Sequence, residues 1–116
     1  MHKPIIAAVL AVVLLTAGCA ARQVRVAQLK DQPDRYDQKT IRVVGMVTSS
    51  FGIPLVPFQV YNVDDGTGEI SVISTSGRTP SRGSRVEVKG KVGEVLVLGG
   101  RSIGLHIREE DRKLLF

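Results

Sequence analysis

The chain has 116 residues, among them 16 lysines and arginines, 11 acidic residues and one cysteine, and its formal net charge is +5. This length allows one domain with a modest core and is too short for two. A single cysteine excludes an internal disulfide, and the mild positive surplus favours anionic partners without identifying one.

The first eighteen residues have the layout of a secretory signal, and we expect them to form a signal helix that is cleaved. A cationic start is followed by an apolar run over residues 5–15 and then by three small residues. The run has eleven residues. A helix needs about 20 to cross the hydrocarbon core of a bilayer, so this segment is too short for a permanent transmembrane anchor.

The small residues end directly on Cys19, and the stretch "LTAGC" resembles the lipobox of bacterial lipoproteins. The resemblance implies that the signal is removed before Cys19, that its sulfur is diacylated and that its new amino group takes a third chain. Thr16 stands where the family usually has leucine. In lipoproteins of Gram-negative bacteria, an aspartate directly after the cysteine resembles an inner-membrane retention signal, and this chain has Ala20 there instead. The resemblance therefore implies a location on the periplasmic face of the outer membrane, with the inner membrane as the alternative.

Cys19 has other interpretations that the sequence leaves open. It could be a free thiol beside an ordinary cleavage site, or a small buried side chain in a retained helix. A catalytic cysteine needs a nearby cation to lower its pKa. The two histidines are His2, which is lost with the signal, and the distant His106.

Residues 19–25 are predicted to be the lipidated cysteine and a small, polar tether, and residues 26–116 are predicted to be the folded domain. Val26, Leu29 and Tyr36 are apolar positions in "VAQLKDQPDRYDQKT", and Pro33 interrupts any helix after about two turns. The stretch therefore predicts a short helix or turn.

Five β-strands follow, each with a period of two. In the first and fourth strands, the residues predicted to face inward are Ile41, Val43, Gly45, Val47, Val86, Val88, Gly90 and Val92. Asp65, Gly66 and Gly68 predict a tight hairpin between strands two and three. After a Gly99–Gly100 turn, strand five is predicted to place Ile103, Leu105 and Ile107 inward. Glycines inside the strands predict the bulges and bends that coil a sheet into a barrel.

Three stretches, "IRVVGMV", "YNVDDGTGEISV" and "PSRGSRVEVKGKV", resemble an OB-fold domain of the nucleic-acid-binding type over residues 29–109. The resemblance implies an all-β fold, a small five-stranded OB-fold-like Greek-key barrel, here preceded by the short helix or turn and the signal helix. The helix that usually joins strands three and four has no room in residues 75–84, so a loop is expected there. OB-folds bind through strands two and three and through the loops after strands one and four.

Two sets of residues are candidates for contact with a ligand or partner. The first is apolar: Phe51 and Ile53 lie in the loop "SSFGIPLVP", which either contacts a partner or caps the barrel. Tyr61 is the third candidate of this set, because it is an aromatic side chain on a binding strand. Tyr61 and Phe58 are predicted to lie on opposite faces of that strand, so at most one of them could stack on a base. The second set is basic: the outward cations that either hold phosphates or form a solvated face are Arg42, Arg85, Lys89 and Lys91.

No enzyme, metal site or cofactor is expected. "GRSIG" fits the G-x-S-x-G motif, but it opens a β-strand in a small domain, whereas the motif's serine lies between a strand and a helix of a large sheet. "DDGTGE" lacks the ligand spacing of a calcium loop. A haem-carrying OB protein is disfavoured because no tyrosine follows His106.

These observations predict a lipid-anchored periplasmic binding or interaction module of the bacterial cell envelope, without enzymatic activity. Its partners would be the membrane, through Cys19, and an envelope protein or an anionic envelope component. The alternative is an envelope-anchored protein that binds single-stranded nucleic acid, which is disfavoured because aromatic side chains on the binding strands are few.

Overall fold

The computed structural model describes residues 21–52, 58–75, 78–98 and 101–116. The expected signal helix and Cys19 lie outside these residues. The strands are β1 (Arg22–Gln23), β2 (Thr40–Gly52), β3 (Gln59–Asp64), β4 (Glu69–Ser74), β5 (Arg85–Gly93), β6 (Leu96–Leu98), β7 (Arg101–Ile103) and β8 (His106–Leu114), and the helices are α1 (Val26–Asp31) and α2 (Pro33–Tyr36).

Five of the strands close into a barrel. β2, β3 and β4 are antiparallel neighbours, β4 pairs in parallel with β8, β8 pairs antiparallel with β5, and β5 returns to β2. β2 serves both sides of the closure, since its first half pairs with β5 and its second half with β3. A register shift between Val47 and Ser49 lies just past the point where β2 changes partner, as expected of a bulge that bends a strand. The predicted five-stranded Greek-key barrel is confirmed.

Alternate side chains of the barrel strands fill the interior. The inward-facing apolar residues include Ile41, Val43, Val47, Val63, Ile70, Val72, Val86, Val88, Val92 and Ile107, and each is buried. Where neighbouring strands approach each other closely, a glycine takes the place of an inward-facing apolar residue. A Cβ at Gly45 would lie 2.6 Å from the carbonyl oxygen of Asp64, and one at Gly90 would overlap the carbonyl of Arg108. These two glycines therefore let neighbouring backbones approach closely, and the register shift between Lys89 and Gly90 marks one of the predicted bulges.

The two short helices cover one end of the barrel, which we call the helical end. Val26 and Leu29 are fully buried there. α1 ends at Asp31, so Pro33 interrupts the helix as predicted, and it also opens α2. Asp65, in the hairpin between β3 and β4, fixes the start of α1 because its Oδ2 accepts a hydrogen bond from the backbone N–H of Val26 at 2.8 Å. Gly66 has a φ of 90°, which explains the glycine at this turn.

The folded domain begins earlier than residue 26. Arg22 and Gln23 pair in parallel with Ile41 and Arg42, and Val24 is buried with 4% of its surface exposed. The predicted tether over residues 19–25 is corrected at its C-terminal side, because strand pairing holds residues 22–24 on the barrel.

The segment between β5 and β8 also differs from the prediction, in which strand five follows the Gly99–Gly100 turn and includes Ile103. β5 ends at Gly93, and a separate hairpin of β6 and β7 follows, with Leu96 opposite Ile103. The reason is that β2 begins at Thr40, opposite Lys91, so β5 has lost one neighbour by Gly93. Strand five consequently starts at His106, and Ile103 belongs to the hairpin.

The described part of the connection over residues 75–84 contains no helix, in agreement with the predicted loop. Neither α1 nor α2, the helices found in the described residues, has the length and apolar character required to span a membrane.

A basic barrel face as the candidate functional site

The outer surface of the barrel brings the four predicted cations together on neighbouring strands. Arg42 on β2 lies opposite Lys89 on β5, and Lys91 and Arg85 lie farther along the same strand, opposite Thr40 and Met46. Because successive side chains of a strand point to opposite faces, all four point away from the core. The sequence pattern therefore located these cations correctly on one surface.

β8 adds two cations that the sequence analysis missed. Arg108 lies opposite Lys91, and Lys113 lies opposite Glu87. Both are exposed. They were missed because the run "REEDRK" shows no apolar alternation, so only its pairing with β5 assigns these side chains to a face.

We define the basic face by its six cations: Arg42, Arg85, Lys89, Lys91, Arg108 and Lys113. Three acidic residues share this surface, namely Glu87, Glu110 and Asp111. After Gly18 the chain has 15 cations and 11 acidic residues, a surplus of four. The basic face thus holds three of the four surplus charges, which makes the barrel electrostatically one-sided.

A depression of about 300 Å³ lies in this surface, and its lining residues are Ala21, Arg42, Glu87, Lys89, Asp111 and Lys113. Arg42 is held between two partners: its Nη1 lies 3.1 Å from Glu87 Oε1, and its Nε donates to the carbonyl oxygen of Ala21 at 2.9 Å. Among the described residues, neither Lys89 nor Lys113 forms an ion pair. Their ammonium groups are therefore available to an anion from solution.

The structure places Tyr61 inside the barrel, and this corrects the prediction that it contacts a ligand. Its side chain is fully buried, and its hydroxyl donates a hydrogen bond to Glu109. Burial raises the pKa of Tyr61 well above its ordinary value of 10.0, and the Glu109 carboxylate raises it further. Tyr61 faces inward because it shares the inner side of β3 with Val63, so it offers no surface on which a base could stack.

Glu109 is the centre of a polar cluster toward the end of the barrel opposite the helices. Its side chain is 6% exposed and, besides Tyr61, it accepts from Ser74 Oγ at 2.7 Å and from Arg112 Nη1 at 3.3 Å. Arg112 also donates to the carbonyl oxygen of Arg78 at 3.0 Å, and its guanidinium carbon lies 5.6 Å from the centre of the Tyr61 ring. Every group in the cluster is matched, which is the arrangement of a structural network rather than of a reactive site.

The remaining sequence candidates have separate positions. His106 is buried and its Nδ1 lies 2.7 Å from the carbonyl oxygen of Gly104, so Nδ1 donates. Among the described residues, no three His, Cys, Asp or Glu side chains are placed to hold a metal ion. Ile53 and the side chain of Phe51 lie outside the described residues, so their role as contact or cap stays a prediction.

Comparison with solved structures identifies the architecture. The OBody AM3L09, solved bound to hen egg-white lysozyme, matches with a TM-score of 0.53 and 22% identity over 70% of this chain and 85% of its own. The barrel is an OB-fold. Asparaginyl-tRNA synthetase from Pyrococcus horikoshii, complexed with asparaginyl-adenylate, matches with a TM-score of 0.57 and 18% identity over 70% of this chain, which spans 20% of the synthetase chain. The S. pombe Stn1-Ten1 complex matches with a TM-score of 0.51 and 19% identity, over 66% of this chain and 57% of its own.

These likenesses establish the fold alone, because each identity is below 25%. No protein-family model matches the chain, and no curated protein matches it. Function therefore has to be argued from the barrel's own surface.

Proposed function

We propose that the protein is a lipid-anchored OB-fold binding module of the bacterial cell envelope, held on the periplasmic face of the outer membrane and without enzymatic activity. The observation that carries the proposal is the apolar run that ends on Cys19 in "LTAGC". Two or three acyl chains on one residue exceed the single-chain regime in which membrane attachment is marginal and reversible. The lipid alone would hold the barrel at the membrane.

Labelling of cells with a fatty-acid analogue tests the anchor. Wild type should incorporate the label and Cys19→Ala should not, because the acyl chains require the sulfur. Cys19→Ser is the matched control, since its hydroxyl replaces the thiol with a group of similar size and polarity that cannot form the thioether. Equal labelling of all three proteins would contradict the proposed lipid anchor. Recovery of the protein mainly in inner-membrane fractions would contradict the proposed outer-membrane location.

The binding activity is proposed to act on a protein or an anionic envelope component. In support, the OBody shows that a barrel of this fold can be bound to a protein, hen egg-white lysozyme. The predicted contact is the apolar segment at the end of β2 and beyond it; the backbone of Phe51 belongs to β2, opposite Val60, and Ile53 follows the strand. Changing Phe51 and Ile53 together to serine should abolish partner capture by crosslinking in intact envelopes while leaving thermal stability nearly unchanged. A large loss of stability would instead show that the loop caps the barrel.

Single-stranded nucleic acid is the second candidate, and the cluster of six cations on one surface is the observation that favours it. If these cations contacted phosphates, the affinity for an oligonucleotide would fall with salt with a log–log slope of about −0.7 per contact. We expect low affinity at physiological salt, because Tyr61 provides no stacking surface. Tight, salt-sensitive binding that Arg42→Ala and Lys89→Ala abolish would reverse the order of the two candidates.

A further inference from the structure

We propose that the basic face is the surface on which the barrel rests against anionic phospholipid headgroups of its own membrane. This inference rests on the proposed anchor at Cys19 and adds to it an orientation. The barrel would be held side-on to the bilayer, with β5 at the membrane and β3 and β4, which lie across the barrel from it, turned away.

The first argument is the short distance between the anchor and the basic face. Ala21 lines the depression, and Arg42 holds its carbonyl oxygen there. Only Ala20 separates Ala21 from Cys19. Two extended residues reach at most about 7 Å, which is roughly one and a half strand spacings. Such a connection is too short to let the barrel present its opposite face to the bilayer.

The second argument is charge complementarity. Near an anionic leaflet each lysine or arginine strengthens adsorption by roughly fivefold, and the effect decays within a Debye length of about 8 Å. An anchor attached beside the basic face would keep its cations within that range. The three acidic residues of the surface offset part of this attraction and leave a surplus of three positive charges, to which the unpaired Lys89 and Lys113 contribute.

The third argument is an apolar edge that adjoins the basic face. Met46, directly opposite Arg85, is 47% exposed, and Phe116 is 84% exposed. The C-terminal residues are tied to the same place, because Arg85 N donates to the carbonyl oxygen of Phe116 at 2.8 Å. Cations beside exposed apolar side chains are the combination that binds the headgroup and acyl boundary of a bilayer.

The test uses the protein purified from bacterial membranes and reconstituted in vesicles, with detergent solution as the reference. One vesicle preparation is phosphatidylcholine alone, and the other is equal parts phosphatidylcholine and phosphatidylglycerol. Lysines are labelled with an amine-reactive reagent and quantified by mass spectrometry. In the anionic vesicles, Lys89 and Lys113 should label several-fold more slowly than in detergent, whereas Lys30, exposed on α1, should not change.

A pair of variants separates charge from simple proximity. Lys89→Gln combined with Lys113→Gln removes two exposed charges that pair with no described residue, so the fold should persist. At roughly fivefold per cation, adsorption should weaken by up to about 25-fold, and the protection of Lys91 that depends on anionic lipid should disappear. Lys30→Gln is the control and should leave that protection intact.

The outcomes distinguish this inference from the proposal on which it rests. An unmodified Cys19 in the mass spectrum of the N-terminal peptide would overturn both. An acylated Cys19 with Lys89 and Lys113 labelled as fast in anionic vesicles as in detergent would overturn the orientation alone. Protection by an added oligonucleotide but not by anionic vesicles would overturn it in favour of nucleic acid.

Discussion

From the contacts of Glu109 we can predict how much the Tyr61 hydroxyl contributes to the stability of the barrel. In Tyr61→Phe the ring stays in place, so the packing of the core is retained, but the buried hydroxyl that donates to the Glu109 carboxylate is lost. A hydrogen bond to a charged group contributes about 1.5–3 kcal/mol. Because Ser74 and Arg112 still satisfy the carboxylate, we expect a loss of about 2 kcal/mol, near the middle of that range.

The natural control is Tyr36→Phe, which alters the only other tyrosine. Tyr36 packs at the helical end, and no hydrogen bond of its hydroxyl occurs among the described residues. Its substitution should therefore change the free energy of unfolding by less than about 0.5 kcal/mol. Urea titrations of the purified proteins in mild detergent, analysed with a shared slope, measure both values.

Glu109→Ala extends the same reasoning to the whole cluster. It leaves the buried Tyr61 hydroxyl without its acceptor and Arg112 without its counter-ion, so it should cost about 3 kcal/mol, more than Tyr61→Phe. In the double variant, the two losses should not add, because they share one interaction. Equal small losses for the Tyr61 and Tyr36 variants, or full additivity with Glu109→Ala, would refute the view that this cluster stabilises the barrel.

Three further predictions concern ionisation and close packing. Asp65→Ala should cost about 1–2 kcal/mol in urea titrations, because it removes the acceptor for the α1 backbone. Burial raises the pKa of Asp65, but the hydrogen bonds to its carboxylate outweigh burial and lower that pKa below 3.8. The stabilisation from ionised Asp65 should therefore be lost from wild type as pH falls through the depressed pKa. The difference in unfolding free energy between wild type and Asp65→Ala should then shrink. In Tyr36→Phe the remaining tyrosine is Tyr61, whose raised pKa should keep tyrosinate absorbance absent above pH 10 until the protein unfolds. The stabilisation from protonated Tyr61 is complete below the unfolded pKa of 10.0 and is lost only as pH rises above that value. Tyrosinate appearing in the folded protein near pH 10 would contradict this. Gly90→Ala should unfold the barrel at a lower temperature than wild type, whereas Gly104→Ala, whose Cβ would meet nothing within 4 Å, should not.

The sequence predicts the strands best where one side of the strand is buried and the other is solvated. β5 is the clearest case, because its valines and charged residues alternate and the structure buries every valine. The same rule fails in β8 from Arg108 onward, where both sides of the strand carry charged residues. Glu109 points into the barrel within a run of charges, and nothing in a period-two pattern distinguishes it from its exposed neighbour Glu110.

The candidate site divides in the same way. The four cations on β2 and β5 follow from alternation alone, whereas Arg108 and Lys113 depend on the register between β8 and β5. β1 is harder still, because two residues are too few to show a period. Its pairing with β2 is a contact between segments almost twenty residues apart. That contact is the one that places Ala21 over the basic face.

The two binding hypotheses exclude each other, because lipid phosphates and nucleic-acid phosphates would compete for the same cations. β1 favours the lipid, since it places the proposed anchor beside the basic face. If the basic face lies at the membrane, the surface of β3 and β4 is turned away from it. Its outward side chains are uncharged or acidic: Asn62 and Ser71 hydrogen-bond to each other at 2.9 Å, and Asp64 and Glu69 lie opposite each other at the strand ends. An anionic strand would be repelled from the acidic end of this surface and would find no cation on β3 or β4. A partner that docks on it must instead combine hydrogen-bonding groups with neutral or positive charge, which a protein surface can offer and a phosphate backbone cannot.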